Sequence, residues 1–382
     1  MFYDIVIIGA GISGLYSAYL LRQKYPDKKV VLFEKNTSIG GRADTFLFHG
    51  KQVPKGAGVG RKRKDKNLQK VLKELKIPTK EFMALNHTPM EIKEMWTFLV
   101  NHYATSSSEK QNRTFGEYAK SLLGIEKYKQ FVEKSGFSDY EQADVYETLF
   151  YYGMDDNLQR WKGILIPWKL LITKLAEGLN IHKGEEVVSF SRITETFLVK
   201  TNKKEYHCNQ VILATTISTV RKLLPNHSIY REIMAQPFLR IYATFAKNDG
   251  LPKSTTVVGG LIQKMIPMDV EKGLYMIVYN DNRASIILET KTKNTISNRE
   301  YFSRLVETSL QLPEHTLEIT DMVSFFWSEG THYYKPLKGD LTREQFLHKI
   351  QFPETNVFVV GEAVSRKQGW TEGALESVLK IF

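Results

Sequence analysis

Cysteine is nearly missing from this chain: Cys208 is the single one in 382 residues. No intramolecular disulfide can form, and no cysteine-based metal site can be assembled. Long apolar runs are missing too. Nowhere do eighteen apolar residues follow one another, so no spanning helix is expected. The first apolar strand begins at Tyr3, which leaves no room for the charged and apolar regions of an export signal. A soluble, cytoplasmic protein is the expectation, and sequons such as Asn36-Thr37-Ser38 are then chance matches. The nine histidines show no H-E-x-x-H or comparable spacing, so no metal site is expected, and His49, His182, His207 and His332 read as surface or packing residues. A nucleophile elbow and a Walker lysine are both lacking, which sets aside serine-hydrolase and P-loop chemistry.

Acidic residues are the scarcer sign of charge, 42 against 53 basic ones, for a net charge of +11. Much of the excess lies in "GRKRKDK", where Arg61, Lys62, Arg63, Lys64 and Lys66 crowd together. A solvated helix start is the ordinary reading of such a run, and a phosphate or nucleic-acid contact is the alternative. With 42% apolar and 12% aromatic residues, the chain can bury one large or two medium cores.

Its opening, "YDIVIIGAGISGLYSAYLL", runs from an apolar strand into glycines spaced G-x-G-x-x-G and on into an apolar helix pattern. Ile5 to Ile8 read as a strand buried on both faces. Gly9 permits the tight turn, Gly11 lets backbone approach a pyrophosphate, and Gly14 lets the helix pack on the strand. The helix N-terminus, with Ser13 in its first turn, then offers free N–H groups to an anion. Such a turn alone is a weak signal, because many strand–helix junctions use glycine. Here a second apolar strand, "KVVLFEK", ends at Glu34, twenty residues beyond Gly14, where a carboxylate can accept from an adenosine ribose. Lys35 follows it. The phosphate this turn is built to hold is therefore a dinucleotide's.

Directly afterwards comes "NTSIGGRADT", in which Gly40 and Gly41 permit close backbone approach and Arg42 offers a forked cation. This stretch resembles the G-G-R motif of the flavin-containing amine oxidoreductase family, which includes monoamine and polyamine oxidases. Two further stretches carry the likeness. "LNIHKGEEVVSF" resembles the family's return strand, with Val187 as the residue whose backbone meets adenine. "NVFVVGEAVSRKQGWTEGALESV" resembles the C-terminal flavin motif, with Gly361 and Glu362 near the ribityl and pyrophosphate. The family implies FAD as cofactor. It also implies an α/β fold in which a discontinuous Rossmann-like FAD-binding domain (residues 1–75, 180–230 and 340–382) carries an inserted α+β substrate domain (76–179 and 231–339). A helix N-terminus opening near Trp370-Thr371 would stabilise the negative charge that develops on reduced flavin, with Thr371 as its N-cap.

Apolar spacing predicts a mainly helical first insert, through "RTFGEYAKSLLG", "YKQFVEKSGF" and "IPWKLLITKLAEGL", with "HYATSSSEKQNRT" as an exposed loop. The second insert alternates, and "FLRIYATFAK", "GLYMIVYN", "ASIILET" and "DMVSFFW" read as strands, with helix around residues 298–311.

In amine oxidases of the family a lysine on a strand of the substrate sheet reaches flavin N5 through a water. "PFLRIYATFAK" is the matching stretch, and it puts Arg240 at that position. Arginine keeps the charge but cannot give up its proton. A shifted register would bring in Lys247 or Lys264 instead, and a structural ion pair of Arg240 is a further alternative. Two aromatic rings flank the substrate in the family. Trp370 matches one of them, and Tyr333, among Trp327, Thr331 and Tyr334, is the candidate for the other.

The resemblance implies an FAD-dependent oxidoreductase that converts a primary or secondary amine to an imine, with molecular oxygen as acceptor. No second G-x-G-x-x-G is available for NAD(P)H. The stretch where monoamine oxidases attach FAD through cysteine holds none here, so FAD is expected to be non-covalent, with His332 the only nearby residue that invites attachment. Two alternatives stand beside this reading. One is a family member acting on a porphyrinogen- or carotenoid-type substrate. The other is a flavin-holding but catalytically idle protein whose basic stretch Arg61 to Lys66 binds nucleic acid or another acidic partner.

Overall fold

A computed structural model of the chain describes residues 1–84, 88–105 and 112–382. Two sheets organise it. The first has seven strands, and at its centre the strand Phe2–Ile8 runs parallel to both Val30–Glu34 and Glu205–Leu213. Because side chains alternate along a strand, its residues feed two cores. Ile5 and Ile7 pack with the helix Ile12–Lys24 and with Trp168, Leu171, Leu375 and Val378, while Val6 and Ile8 pack with Phe33, Val211, Leu213 and Val220 on the opposite face. Burying each such side chain stabilises the fold by about 1.5–3 kcal/mol. The chain returns to this sheet twice, through Ile181–Lys183 to Glu205–Leu213 and through Val357–Val359.

The second sheet is antiparallel and has five strands. Its long strands Ile233–Asn248 and Leu317–Tyr334 pair along most of their length, and Leu274–Asp281, Gln263–Asp269 and Thr256–Gly259 continue it. Leu239, Ile241 and Ala243 pack against the helix Ile296–Leu310 through Phe302 and Val306. The alternate residues Phe238, Arg240 and Tyr242 occupy the other face, and Phe238 and Arg240 line the large cavity that this sheet roofs. The helical insert, with Met90–Thr105, Phe115–Leu123, Ile125–Ser135 and Val145–Tyr151, closes one side around Trp96, Phe115, Phe131 and Tyr140.

Two expectations are corrected. "ASIILET" is not a strand: residues Asn282–Leu288 are helical, with Ser285 and Leu288 buried while Ile286 and Ile287 face solvent. Its consecutive apolar residues mimic a strand, but the buried pair is three residues apart, which is helical spacing. In the expected loop, His102 to Thr105 complete the helix Met90–Thr105, Thr114 caps the next one, and residues 106–111 lie outside the described residues.

Candidate functional site

At the first turn the backbone decides which glycines are obligatory. A Cβ on Gly9 would lie 2.4 Å from the Ala214 carbonyl oxygen, and one on Gly14 would lie 2.0 Å from that of Gly9. Gly11 differs, since a Cβ there meets no protein atom within 4 Å and would enter the cavity. What Gly11 keeps clear is room for a ligand rather than room for the fold. Gly11 is also the N-cap of Ile12–Lys24 and supplies no capping side chain, so the first N–H groups of the helix are open to an anion. Gly40 donates its N–H to the Ala10 carbonyl (2.8 Å), which seats the G-G-R loop with Gly41 beside this turn. Ser13 and Gly361 complete the rim. These features fit a dinucleotide.

The Glu34 carboxylate accepts from the Ala10 N–H (2.9 Å) and from the Asn36 N–H and Nδ2 (2.9 Å each). It is thereby fixed at the cavity edge, with lone pairs left for a ribose hydroxyl. Lys35 is exposed at the mouth, and Val187 opens its strand at the same end, 4% exposed.

At the middle of the cavity Arg42 donates to Glu362 Oε1 (2.8 Å) and to the Gly330 carbonyl (2.6 Å), and His332 Nδ1 meets the same carboxylate oxygen. Burial alone would raise the Glu362 pKa, but the His332 and Arg42 charges hold it well below the usual carboxylate range. His332 is thus corrected from a surface or packing residue to a buried member of the site. Its Nδ1 faces the Glu362 carboxylate, and its Nε2 lies 3.4 Å from the Ile217 nitrogen.

The last helix, Thr371–Leu379, begins at the residue expected to cap it, one position earlier than expected. Trp370 is the extended N-cap residue and Thr371 is already helical, with no side-chain capping bond. Within this first turn the Gly373 N–H donates to the Trp370 carbonyl (3.1 Å), while no side chain caps the Thr371 and Glu372 N–H groups beside the cavity that Trp370 and Thr371 line. Glu372 turns away and accepts from the Asn67 and Leu68 N–H groups (3.1 and 3.0 Å), capping a neighbouring helix, Lys66–Glu74.

Arg61 corrects the reading of the basic run. It is 4% exposed, bound to Asp65 through two side-chain bonds (2.9 and 2.7 Å), 3.3 Å from Asp156, and stacked 3.5 Å from the centre of the Trp370 ring. Lys62 and Lys64 pair with Glu81 and Asp156. The counter-charges were out of reach of sequence reasoning, because Asp156 lies 95 residues from Arg61. Asp65, four residues on, was the one available signal.

On the roof, Arg240 is 7% exposed; its Nη1 donates to the Leu239 and Asn280 carbonyls (3.1 and 3.0 Å), and its guanidinium lies 3.5 Å from the centre of the Tyr279 ring. No ion pair of Arg240 forms among the described residues. Lys247 is exposed beside Glu318, whereas Lys264 is buried and lines the cavity. Tyr333 also lines it, half-buried, with burial raising its phenol pKa. Trp327 donates Nε1 to the Lys55 carbonyl (2.9 Å), while Tyr334 belongs to the core and donates to the Ser365 carbonyl (3.0 Å).

Sequence reasoning missed two acids, Asp139 and Asp281. The Asp139 carboxyl is pushed up to about 7 by burial and by Asp281, and the Tyr152 hydroxyl donates to it. These groups and the dinucleotide end share one cavity of about 1370 Å³, larger than the roughly 300–1,000 Å³ of an ordinary ligand pocket. The space suits a dinucleotide and a second molecule together. No group of histidine, cysteine and acidic residues able to hold a metal occurs among the described residues. No described helix is long and apolar enough to cross a membrane.

Comparison with known proteins agrees with this layout. The profile of the flavin-containing amine oxidoreductase family matches residues 93–379, and that of an NAD(P)-binding Rossmann-like domain matches residues 7–75. A solved putrescine oxidase bound to putrescine superposes with a TM-score of 0.75 at 13% identity, covering 100% of this chain and 98% of that one. A candidate protoporphyrinogen oxidase from Exiguobacterium sp. 255-15 does so with a TM-score of 0.69 at 16% identity, covering 99% and 97%. At such identities the likeness is one of fold. Curated relatives match over shorter stretches: achacin from Lissachatina fulica is 36% identical over 141 residues, 32% of this chain and 26% of that one. Prenylcysteine oxidase 1 from Homo sapiens is 46% identical over 56 residues, 14% of this chain and 11% of that one. The chain spans only about a tenth of the length of the first curated relatives it matches.

Proposed function

This chain belongs to the flavin-containing amine oxidoreductase family, and from that premise we propose that it binds FAD non-covalently and oxidises a primary or secondary amine to an imine, with molecular oxygen as acceptor. The observation that carries the reading is the single cavity. It joins an open glycine turn and a fixed Glu34 at one end to Trp370, Tyr333 and Arg240 at the other. Bound FAD would supply the hydride acceptor. The chain's own residues do the rest: Gly11 and the first helix hold the pyrophosphate, Glu34 the ribose, and Val187 the adenine edge. The open N-terminus of Thr371–Leu379 stabilises negative charge near its first turn. Trp370 and Tyr333 keep water from the amine, which favours its neutral form, the one with a lone pair to release. Arg240 keeps a fixed positive charge on the roof facing the cavity. The proposed halves remain 1–75, 180–230 and 340–382 for FAD, with 76–179 and 231–339 for substrate.

A second reading, a porphyrinogen- or carotenoid-type substrate, draws support from the arginine at the position of the family's lysine. Partner binding through the basic run is weakened by the burial of Arg61 and the pairing of Lys62 and Lys64. Anaerobic bleaching of the holoenzyme against monoamines, diamines, amino acids and porphyrinogens separates the readings. Bleaching by an amine is expected; bleaching by porphyrinogens alone would overturn the amine.

A further inference from the structure

Across the cavity face of the roof, three positions on neighbouring strands stand in register: Arg240, Tyr279 and Lys264. Lys264 is 6% exposed, and its Nζ lies 3.3 Å from the centre of the Phe137 ring and 6.0 Å from that of Tyr279. Its stem passes under bare backbone, since a Cβ on Gly136 would come within 2.7 Å of Lys264 Cε.

A count of donors and acceptors around it is unbalanced. The two acids have donors of their own. Asp281 accepts from the Ser138 N–H and Oγ (3.1 and 2.6 Å) and from Gln263 Nε2 (3.1 Å), and Asp139 accepts from the Tyr152 hydroxyl and Thr331 Oγ (3.4 Å). The cations are less well served: among the described residues Lys264 Nζ, at the cavity wall, makes no hydrogen bond or ion pair, and the buried Arg240 Nε has no partner although its Nη1 has two. Burying a charged donor without an acceptor is costly, so the cluster is completed by a ligand that brings acceptors of its own.

We propose that Lys264 is the docking point for a carboxylate on the substrate, so that the amine oxidised is the amino end of an ω-amino acid. The proposal rests on the amine reading above and narrows it. Two strand spacings, about 10 Å, separate the Arg240 and Lys264 backbones.

Burial draws the Lys264 pKa down to about 7, with Asp281 and Asp139 opposing the shift and Arg240 adding to it. Carboxylate binding needs the protonated form, so affinity weakens as pH rises through that value.

The test is calorimetric titration of the holoenzyme with pentanoate, an unreactive probe, from pH 6 to 8.5. Wild type is expected to bind with affinity falling above neutrality. Lys264→Met should lose at least about tenfold, and Lys264→Arg should bind without the fall, all three with equal flavin content. A parallel anaerobic assay compares 5-aminopentanoate with putrescine, and the former should reduce the flavin faster. Absent pentanoate binding in wild type, or equal affinity in wild type and Lys264→Met, overturns the proposal even if putrescine bleaches the flavin and the amine reading stands. Binding lost in Lys264→Met, with no amine bleaching the flavin, supports the carboxylate site and removes amine oxidation.

Discussion

The two ends of the cavity are built on opposite principles. The dinucleotide end is made of backbone: glycines that a Cβ would spoil, open helix N–H groups and one fixed carboxylate. The end proposed for substrate is made of buried charge, with Arg61, Asp65 and Asp156 behind Trp370, and Arg240, Lys264, Asp139 and Asp281 on and beneath the roof. A backbone cradle fits any ligand with the same pyrophosphate. Buried charge fits one distribution of partners, so under the proposed function specificity resides there.

Separating the two glycine roles gives the largest expected effect. Gly14→Val drives a side chain into the Gly9 carbonyl and should abolish soluble protein, whereas a Cβ at Gly11 meets no protein atom within 4 Å, so Gly11→Val should leave the fold intact. The second variant should lose flavin by at least about tenfold because it crowds the pyrophosphate. Purification of well-folded Gly11→Val with full flavin would break the comparison at its first step.

Arg61→Met comes next. It removes the cation paired with Asp65, which is 2% exposed, while Asp156 keeps Lys64. Removing one partner of a buried pair costs about 3–5 kcal/mol. A denaturant titration should register most of that loss; a change below about 1 kcal/mol would mean the group is solvated after all.

Trp370→Ala follows, acting on rate rather than on stability. If the indole excludes water, anaerobic reduction should slow by about tenfold to a hundredfold, or 1.4–2.7 kcal/mol, and its apparent pKa should move up toward that of the free amine. Trp370→Phe should keep more of the rate. An unaltered pH profile in well-folded Trp370→Ala would remove the aromatic wall.

Glu34→Ala is the mildest. Its carboxylate braces Ala10 and Asn36 as well as facing the ribose end, so flavin affinity should fall by roughly tenfold, the loss of one charged hydrogen bond. Equilibrium dialysis against FAD measures it, and unchanged affinity would confine Glu34 to bracing the turn.

The same contrast governs what the sequence discloses. The strand, glycine turn, helix and acid of the first 34 residues follow local rules, and a reader of the chain can apply them in order. Arg42, Glu362 and Trp370 stand in motifs legible in the sequence, and all three line the one cavity. Asp139 and Asp281 carry no local mark, since their meaning arises only where the helical insert folds under the roof, with Ser138 bonding Asp281 across 143 residues. His332 looked like packing because its partner Glu362 is thirty residues on, and Arg61 looked solvated because its neighbours are also basic. The helix at Asn282–Leu288 was hidden by its apolar run, and Thr371 missed its cap position by one residue.

The central claim is that the cradle holds FAD while the roof controls its reactivity, and stopped-flow mixing of flavin-loaded Arg240→Met tests it most directly. Reduction by amine and reoxidation by oxygen are followed separately. A charge lost from the roof should leave flavin content at the wild-type level and slow reoxidation by at least about tenfold, more than it slows reduction, because negative charge builds up as oxygen is reduced. Wild-type reoxidation at full flavin content, or loss of flavin in proportion to activity, would contradict the account.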